Sequence, residues 1–445
     1  MPELLDLARR VASSALDGEQ VEVFATRSDS TSVKVHGAEV ESFTAAASAG
    51  VGIRVVVDHR QGFAWGASLD DDVVRETLQE ARDNATFSEP ADWNGLADPD
   101  GVAAPEVDLD RPGLAGFPTD DKIDLALMLE AAVRGRDRRI KGVRNAIYAD
   151  SRSERAIVTS TGLEAWGRSG SCSLAVSAMA TDGSETRTAG GSASEREPAD
   201  LDLEEIAEEA VTKSTRLLGG GPIPSARMTV VFEPEVTASF LGIIASLLSG
   251  MAVLKGRSLF AGRLGEQVAA SELTLVDDPA DARTLGSMAH DGEGLATRRN
   301  VLIDAGRLST FVYDAATARR AGTASTGSAT RSYMTTPSPG VRTVLLSPGS
   351  LDADALVADV GDGLLVQSLK GLHSGVNRVS GDFSVGVDGL RIRNGQLAEP
   401  VSGVTIASTL PKMLLGVVAV GADTRRFGGV VASSLALGDV SVGGT

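Results

Sequence analysis

The chain has one cysteine, Cys172, in 445 residues, so no disulfide can form within it, and a reducing compartment is expected. Cys172 lies in the strand-like run Ser171-Cys-Ser-Leu-Ala-Val176 and reads as a small buried residue rather than a nucleophile. Aromatic residues make up only 4%, yet 42% of the residues are hydrophobic, enough for a sizeable core. Basic residues are the minority: 42 Lys and Arg against 60 Asp and Glu leave a net charge of -18, which argues against the cationic surface that nucleic-acid binding needs. The start, Met1-Pro-Glu-Leu-Leu-Asp6, is acidic and lacks a signal-peptide pattern, so a cytoplasmic location is expected. One uncharged stretch, Val236 to Leu254, is long enough to cross a membrane, but Thr237, Ser239, Gly242, Ser246, Ser249 and Gly250 interrupt it, and it reads as a buried helix. Histidine is rare as well: His36, His59, His290 and His373 are the four, and none pairs with another at helical metal spacing.

What is present centres on Thr229 to Gly250. Thr229, Val230 and Val231 are β-branched and predict a strand, which Glu233-Pro234-Glu235 stops because proline removes a ladder donor. Proline suits a first helical turn, and Glu235 complements the positive helix start. Val236, Phe240, Ile243, Ile244, Leu247 and Leu248 then recur at helical spacing, and Gly250 is placed to end the helix. A strand, a sharp turn and a buried helix follow in sequence, and such turns are where many enzymes place their chemistry.

Before this stretch a pattern occurs twice. An amphipathic helix on Leu4, Leu5, Ala8 and Val11 precedes strands at Val21–Thr26, Ser32–His36, Val40–Ala47 and Gly50–Val57, a short return at Phe63–Gly66, and a helix opened by Asp70-Asp-Asp72. Residues 85–119, crowded with proline and aspartate, read as an irregular connector. A helix over Asp120–Arg134 then precedes strands at Val143–Asp150, Arg155–Ser160, Leu163–Gly167 and Ser171–Ala180, a glycine-rich return, and a helix over Asp200–Leu218. This predicts an internal duplication. Gly219-Gly-Gly-Pro-Ile-Pro-Ser225 reads as a linker, and beyond the central helix strands dominate, with Asn394-Gly395 a strong hairpin turn. The expected fold class is α+β: a duplicated α/β domain over 1–218, a linker at 219–224, and a β-rich, barrel-like domain with a buried central helix over 225–445.

Several stretches, in order, resemble the TldD/PmbA family of proteases. They are the central strand and helix, Gly265–Pro279, Asp291-Gly-Glu-Gly294 with the following hairpin, Thr326-Gly327, Gly381–Val401, and the closing Val442-Gly-Gly-Thr445. In the TldD-type subunit the resemblance places His-Glu-x-x-x-His at the central turn. With Gly242 aligned to the glycine that follows that motif, its three metal-site positions fall on Glu233, Pro234 and Ala238. The chain is therefore similar to the PmbA (TldE) type of subunit, which lacks the metal motif and pairs with TldD. It also lacks any cysteine after Cys172, whereas TldD supplies a C-terminal one to its metal. The resemblance implies a bilobal protein acting on unfolded peptides and small proteins. It implies a heterodimer with a TldD-type metalloprotease subunit that carries zinc, with no cofactor, metal ligand or catalytic residue in this chain. A homodimer is a plausible state for the unpartnered chain. No membrane partner is expected.

Three places are candidates for facing substrate or partner: Glu233 and Glu235 at the helix start; His290, Asp291 and Glu293 in the following loop; and His373 and Asn377 in a later one. Each competes with an ordinary reading, respectively a complement to the helix dipole, a turn at Gly292, and a solvated loop. Two other functions stand beside the helper-subunit expectation: a self-associating peptide-binding protein without protease activity, and a metal-independent hydrolase, for which Ser374, His373 and Asp382 are the nearest set although no nucleophile elbow is present.

Overall fold

The polar middles of the N-terminal strands do not break them. A computed structural model describes residues 2–444. The two strands expected between Val21 and His36 are one, β1 (Gln20–His36), and the two after it are likewise one, β2 (Glu39–Val57). The Ser- and Ala-rich segments around Ser28–Thr31 and Ala45–Ser48 carry little apolar patterning because they are largely exposed, but the backbone ladder runs through them. With β3 (Arg60–Gly66), β4 (Ile140–Thr159), β5 (Glu164–Thr181) and β6 (Thr186–Glu195) they form one antiparallel sheet ordered β3-β2-β1-β4-β5-β6.

Each half of the sheet is a three-strand meander between helices: α1 (Glu3–Ala12) before β1 and α2 (Asp71–Phe87) after β3, then the short α3 (Pro112–Ala115) and α4 (Thr119–Arg136) before β4 and α5 (Leu203–Thr215) after β6. The two meanders join through the antiparallel β1–β4 pairing. Alternation puts Val21, Val23, Val33 and Val35 on the face the helices cover. Glycines at matching places let helix meet strand: a Cβ on Gly62 of β3 would lie 1.9 Å from the Ala81 carbonyl oxygen in α2, and one on Gly191 of β6 would lie 2.1 Å from that of Ile206 in α5. Cys172 is buried against the helices, and burial pushes its thiol up to about 12. Beyond β3, the edge of β2 over residues 39–49 has no neighbour among the described residues and is exposed, with Val40 and Phe43 pointing into solvent.

In the C-terminal half β7 (Ala226–Phe232) turns directly into α6 (Pro234–Leu247). Short strands follow: β8 (Leu275–Asp277), β9 (Asn300–Asp304), β10 (Arg307–Leu308), the pair β11 (Ala329–Thr330) and β12 (Ser338–Pro339), and β13 (Val344–Leu346). Longer ones come next, β14 (Gly363–Lys370), β15 (Asp382–Arg393) and β16 (Gln396–Thr409), then β17 (Val417–Val420), β18 (Arg425–Phe427), β19 (Val430–Ala432) and β20 (Leu435–Gly443). The order β16-β15-β14-β7-β20 is closed by pairing of β16 with β20, giving a five-stranded barrel that abolishes its own edges, while β8, β9, β10, β13, β18 and β19 make a second sheet. The hairpin between β15 and β16 turns at Asn394 and Gly395, both with positive φ, as an Asn-Gly turn requires.

α6 lies between barrel and second sheet, buried along Val236, Phe240, Leu241, Ile244 and Leu247. It is 14 residues long, and no helix among the described residues is long and apolar enough to cross a membrane. Phe240 meets Phe232 edge-on at 5.9 Å and Phe383 at 6.2 Å, which fixes the helix against β7 and β15.

Four buried charges join the two halves. On the sheet face away from the helices, Arg54 donates to both carboxylate oxygens of Glu22, at 3.1 and 2.6 Å, and to Glu293 at 3.1 Å; Arg331 pairs with Glu22 from the C-terminal side. All four side chains are at most 2% exposed.

Candidate functional site

β7 ends in a fully buried Phe232, and the chain reverses because Glu233 is extended (φ -62, ψ 158) while Pro234 presets the first helical turn. The Glu233 amide donates to the Val366 carbonyl of β14, and the Glu233 carbonyl accepts from Thr237. The turn is thus pinned to the barrel, with its two carboxylates directed towards α5.

Both carboxylates meet cations there. Arg216 donates to Glu233 at 2.5 Å and to the Gln367 amide oxygen at 2.5 Å. Lys213 lies 2.7 Å from Glu235 and 2.7 Å from Glu209, and Glu209 accepts from Arg425 at 2.7 and 3.1 Å. Burial alone would lower the Lys213 pKa, but Glu235 and Glu209 outweigh it and hold the ammonium above the ordinary lysine value. Burial would likewise raise Glu209, but Arg425 and Lys213 hold it below the usual carboxylate range. Glu235 remains 57% exposed, whereas Glu233 is 15% exposed. The ordered row Glu235, Lys213, Glu209, Arg425 lies at the join between α5 of the sheet domain and the C-terminal half, reached through α6 and β18.

Two hollows flank this row. One, of about 550 Å³, is lined by Lys213, Glu235, Ser239, Gln367, Lys370 and Leu372 among others. The other, of about 260 Å³, is lined by Arg216, Glu233, Pro234 and Arg425. Zinc hydrolysis needs about three protein ligands and an open position. The donor set here does not suit it: Glu233 and Glu235 are each engaged by a cation, Pro234 and Ala238 have no side-chain donor, and no imidazole lines either hollow.

The other expected residues fall elsewhere. His290 is half-buried and lines a separate cleft. Asp291 and Glu293 are fully buried rather than surface groups. Asp291 fastens its own loop, accepting from the amides of Glu293, Leu295 and Ala329 at 2.9 to 3.0 Å; Glu293 accepts from the Ala315 amide at 2.8 Å and pairs with Arg54. Burial pushes Asp291 up to about 6. His373 is exposed in a four-residue helix whose Leu372 lines the larger hollow, and the Asn377 side chain accepts from the amides of Val379 and Ser380. Ser374 donates to the Gly371 carbonyl and Asp382 accepts from Ser380, so these two do not form a relay with His373. The structure therefore brings Glu233 and Glu235 together, sets the His373 loop at the rim, and separates the His290 loop from both.

Sequence patterns do not single out Glu209, Lys213, Arg216 and Arg425. A signal for the first three exists in their spacings of four and three residues, which put Glu209 and Lys213 of α5 and its C-capping Arg216 along one face. Arg425 carries none.

Profiles of the PmbA/TldA metallopeptidase match three segments in order: domain 1 over residues 21–85, the central domain over 112–218 and the C-terminal domain over 225–444. The chain is 27% identical to the metalloprotease PmbA of Escherichia coli O157:H7 over all of this chain and 96% of that one. It is 27% identical to a metalloprotease TldD homolog of Haemophilus influenzae over 80% of this chain and 76% of that one. Among solved structures, a putative modulator of DNA gyrase from Bacteroides thetaiotaomicron superposes with TM-score 0.90 at 26% identity over the whole of both chains. TldE from Thermococcus kodakarensis superposes with TM-score 0.90 at 24% identity over 99% of both, which speaks for the fold.

Proposed function

Because this chain belongs to the PmbA/TldA metallopeptidase family, as a PmbA-type member, we propose that it is the metal-free subunit of a heterodimeric metallopeptidase. Its partner is a TldD-type subunit, which carries the zinc and the hydrolytic chemistry. This chain shapes the channel for unfolded peptide and completes the partner's site from across the interface.

One observation carries the reading. At the turn where the resemblance puts the metal motif of TldD-type subunits, this chain has two glutamates neutralised by Arg216 and Lys213. A cation already held by protein charges leaves little to attract a second one. A peptide needs few special side chains if it adds a strand to an open edge, and residues 39–49 of β2 offer such an edge.

Reconstitution tests the proposal. The purified chain is expected neither to cleave peptide nor to retain an equivalent of zinc, and addition of a TldD-type subunit is expected to give peptidase activity. Mutation of the partner's His-Glu pair is expected to abolish it. Activity of the isolated chain that survives a chelator would instead point to a hydrolase of its own. The same β2 edge favours a second reading, a self-associating peptide binder. Peptide binding by the chain together with failure to activate any TldD-type partner would select it.

A further inference from the structure

A cleft of about 620 Å³ lies away from the strand-to-helix turn, between the helix-free face of the first sheet and loops of the C-terminal half. Its floor is the apolar group Phe24, Ile157 and Ala165, with Tyr333 packed against it. Arg155 of β4 enters from the sheet side, and Arg331 and Arg342 from the other.

These guanidiniums are poorly compensated. Arg155 donates to the His290 carbonyl at 2.5 Å and approaches Met288 Sδ at 3.5 Å, and Arg342 donates to the Gly286 carbonyl at 3.3 Å. Among the described residues neither makes an ion pair. Arg331 spends Nη1 on Glu22, but its Nε and Nη2 are buried without a partner. The side chain is 0% exposed and stacks over Phe24. Asp291 and Asp277 lie behind the pair but hydrogen-bond neither guanidinium: Asp291 accepts from the amides of Glu293, Leu295 and Ala329, and Asp277 from Thr343 and the Arg342 amide. Asp110 and Asp108 at the mouth are taken by Arg152 and Arg111. Burial and the neighbouring Arg342 push Arg155 down to about 10 against the opposing pull of Asp291. In a chain of net charge -18, this is a local excess of positive charge beside an apolar floor.

We propose that this cleft is a binding site for a carboxylate attached to an apolar group, namely the C-terminal carboxylate and last side chain of a peptide, held by Arg155 and Arg342. A carboxylate fits better than a phosphate, because the floor of Phe24, Ile157 and Ala165 offers apolar surface to the side chain next to it. The peptide itself rests on the proposed function; the paired guanidiniums do not.

The test measures binding of a fluorescent peptide with a C-terminal leucine to the full chain, alone and with its TldD-type partner, against the same peptide amidated. Loss of one charge-assisted contact to a buried guanidinium is expected to cost about tenfold or more in affinity. The free acid is expected to bind at least tenfold tighter than the amide, and Arg155→Met or Arg342→Met to erase that difference. Arg342→Lys, which keeps charge but loses the fork, is expected to fall between, and is informative even if a methionine variant fails to fold. Equal binding of acid and amide, no binding of either, or displacement by inorganic phosphate at concentrations equal to the free-acid peptide overturns the proposal. A chain that activates the partner while failing this test leaves the subunit reading intact; a chain that passes it without activating any partner leaves the cleft and removes the subunit reading.

Discussion

Replacing Arg54 by methionine removes the central cation of the buried network that joins the sheet domain to the C-terminal half. Three charge-assisted hydrogen bonds disappear, two to Glu22 and one to Glu293. Glu22 keeps Arg331, but Glu293 is left with the Ala315 amide alone. Breaking a buried ion pair by deleting one partner costs about 3–5 kcal/mol, chiefly because a charge stays buried without its counterion. That cost depends on pH through Glu293. Burial raises its pKa, Arg54 opposes this, and Asp291 adds to it, leaving the group pushed up from 4.5 to about 7. A carboxyl raised in the folded state contributes stability that is present below its unfolded value and lost as pH rises through the folded one. With its carboxyl at about 7, Glu293 is already largely protonated at pH 5.5 and has little charge for Arg54 to balance, whereas at pH 8 it is ionised and loses its counterion, so the substitution costs more at pH 8. Urea unfolding followed by tryptophan fluorescence should show Arg54→Met losing about 3–5 kcal/mol at pH 8 and clearly less at pH 5.5. A loss below about 1 kcal/mol at pH 8, or an equal loss at both pH values, would refute the reasoning.

Four further outcomes are expected. Glu22 is held below the usual carboxylate range because Arg54 and Arg331 overcome the effect of burial, so its contribution is present above the ordinary 4.5 and lost as pH falls below it; potentiometric titration should show Glu22→Gln taking up fewer protons on acid unfolding. Gly191→Ala forces β6 from α5 and Gly62→Ala forces β3 from α2, each costing at least about 1–3 kcal/mol in thermal or urea unfolding, since the new Cβ meets backbone that cannot swing aside. Cys172, buried with its thiol raised to about 12, should resist a thiol reagent in the native chain and react on unfolding in denaturant. In a double-mutant cycle, Lys213→Met and Glu235→Gln should couple by roughly 0.5–2 kcal/mol, with Glu235→Gln the milder change because its carboxylate is already exposed.

Local patterns made much of this fold legible, and non-local ones did not. The duplication could be read because helix, strands and helix repeat in order, and the structure reproduces this with α1 to α2 and α4 to α5. Strand lengths could not, because the solvated middles of β1 and β2 carry no apolar alternation, and the ladder that holds them is backbone. The Asn394-Gly395 hairpin was written into its turn residues, whereas closure of the barrel by β16 and β20 depends on pairing that no local signal reports. At the site, Pro234 and the apolar spacing after it locate the turn, but the cations that occupy its glutamates come from α5 and its C-cap, and Arg425 joins them only through Glu209, 216 residues away in sequence, which it shares with Lys213. Asp291 and Glu293 illustrate the converse. Acidic residues in a glycine-containing loop look like surface, yet they serve here as buried fasteners whose partners, the Ala329 amide and Arg54, lie far along the chain. Glu22 and Arg54 left a clue, a charged residue set within a β-branched run in each of two neighbouring strands.

At the turn from Glu233 to Ala238, Arg216 and Lys213 pair with the two glutamates, and the proposed function has no metal bound there. Titration of the purified full chain with zinc, followed by gel filtration and elemental analysis, tests it most directly. No retained equivalent is expected, in the wild type and in Glu233→Ala alike. One equivalent of zinc retained by the wild type and lost in Glu233→Ala would contradict it.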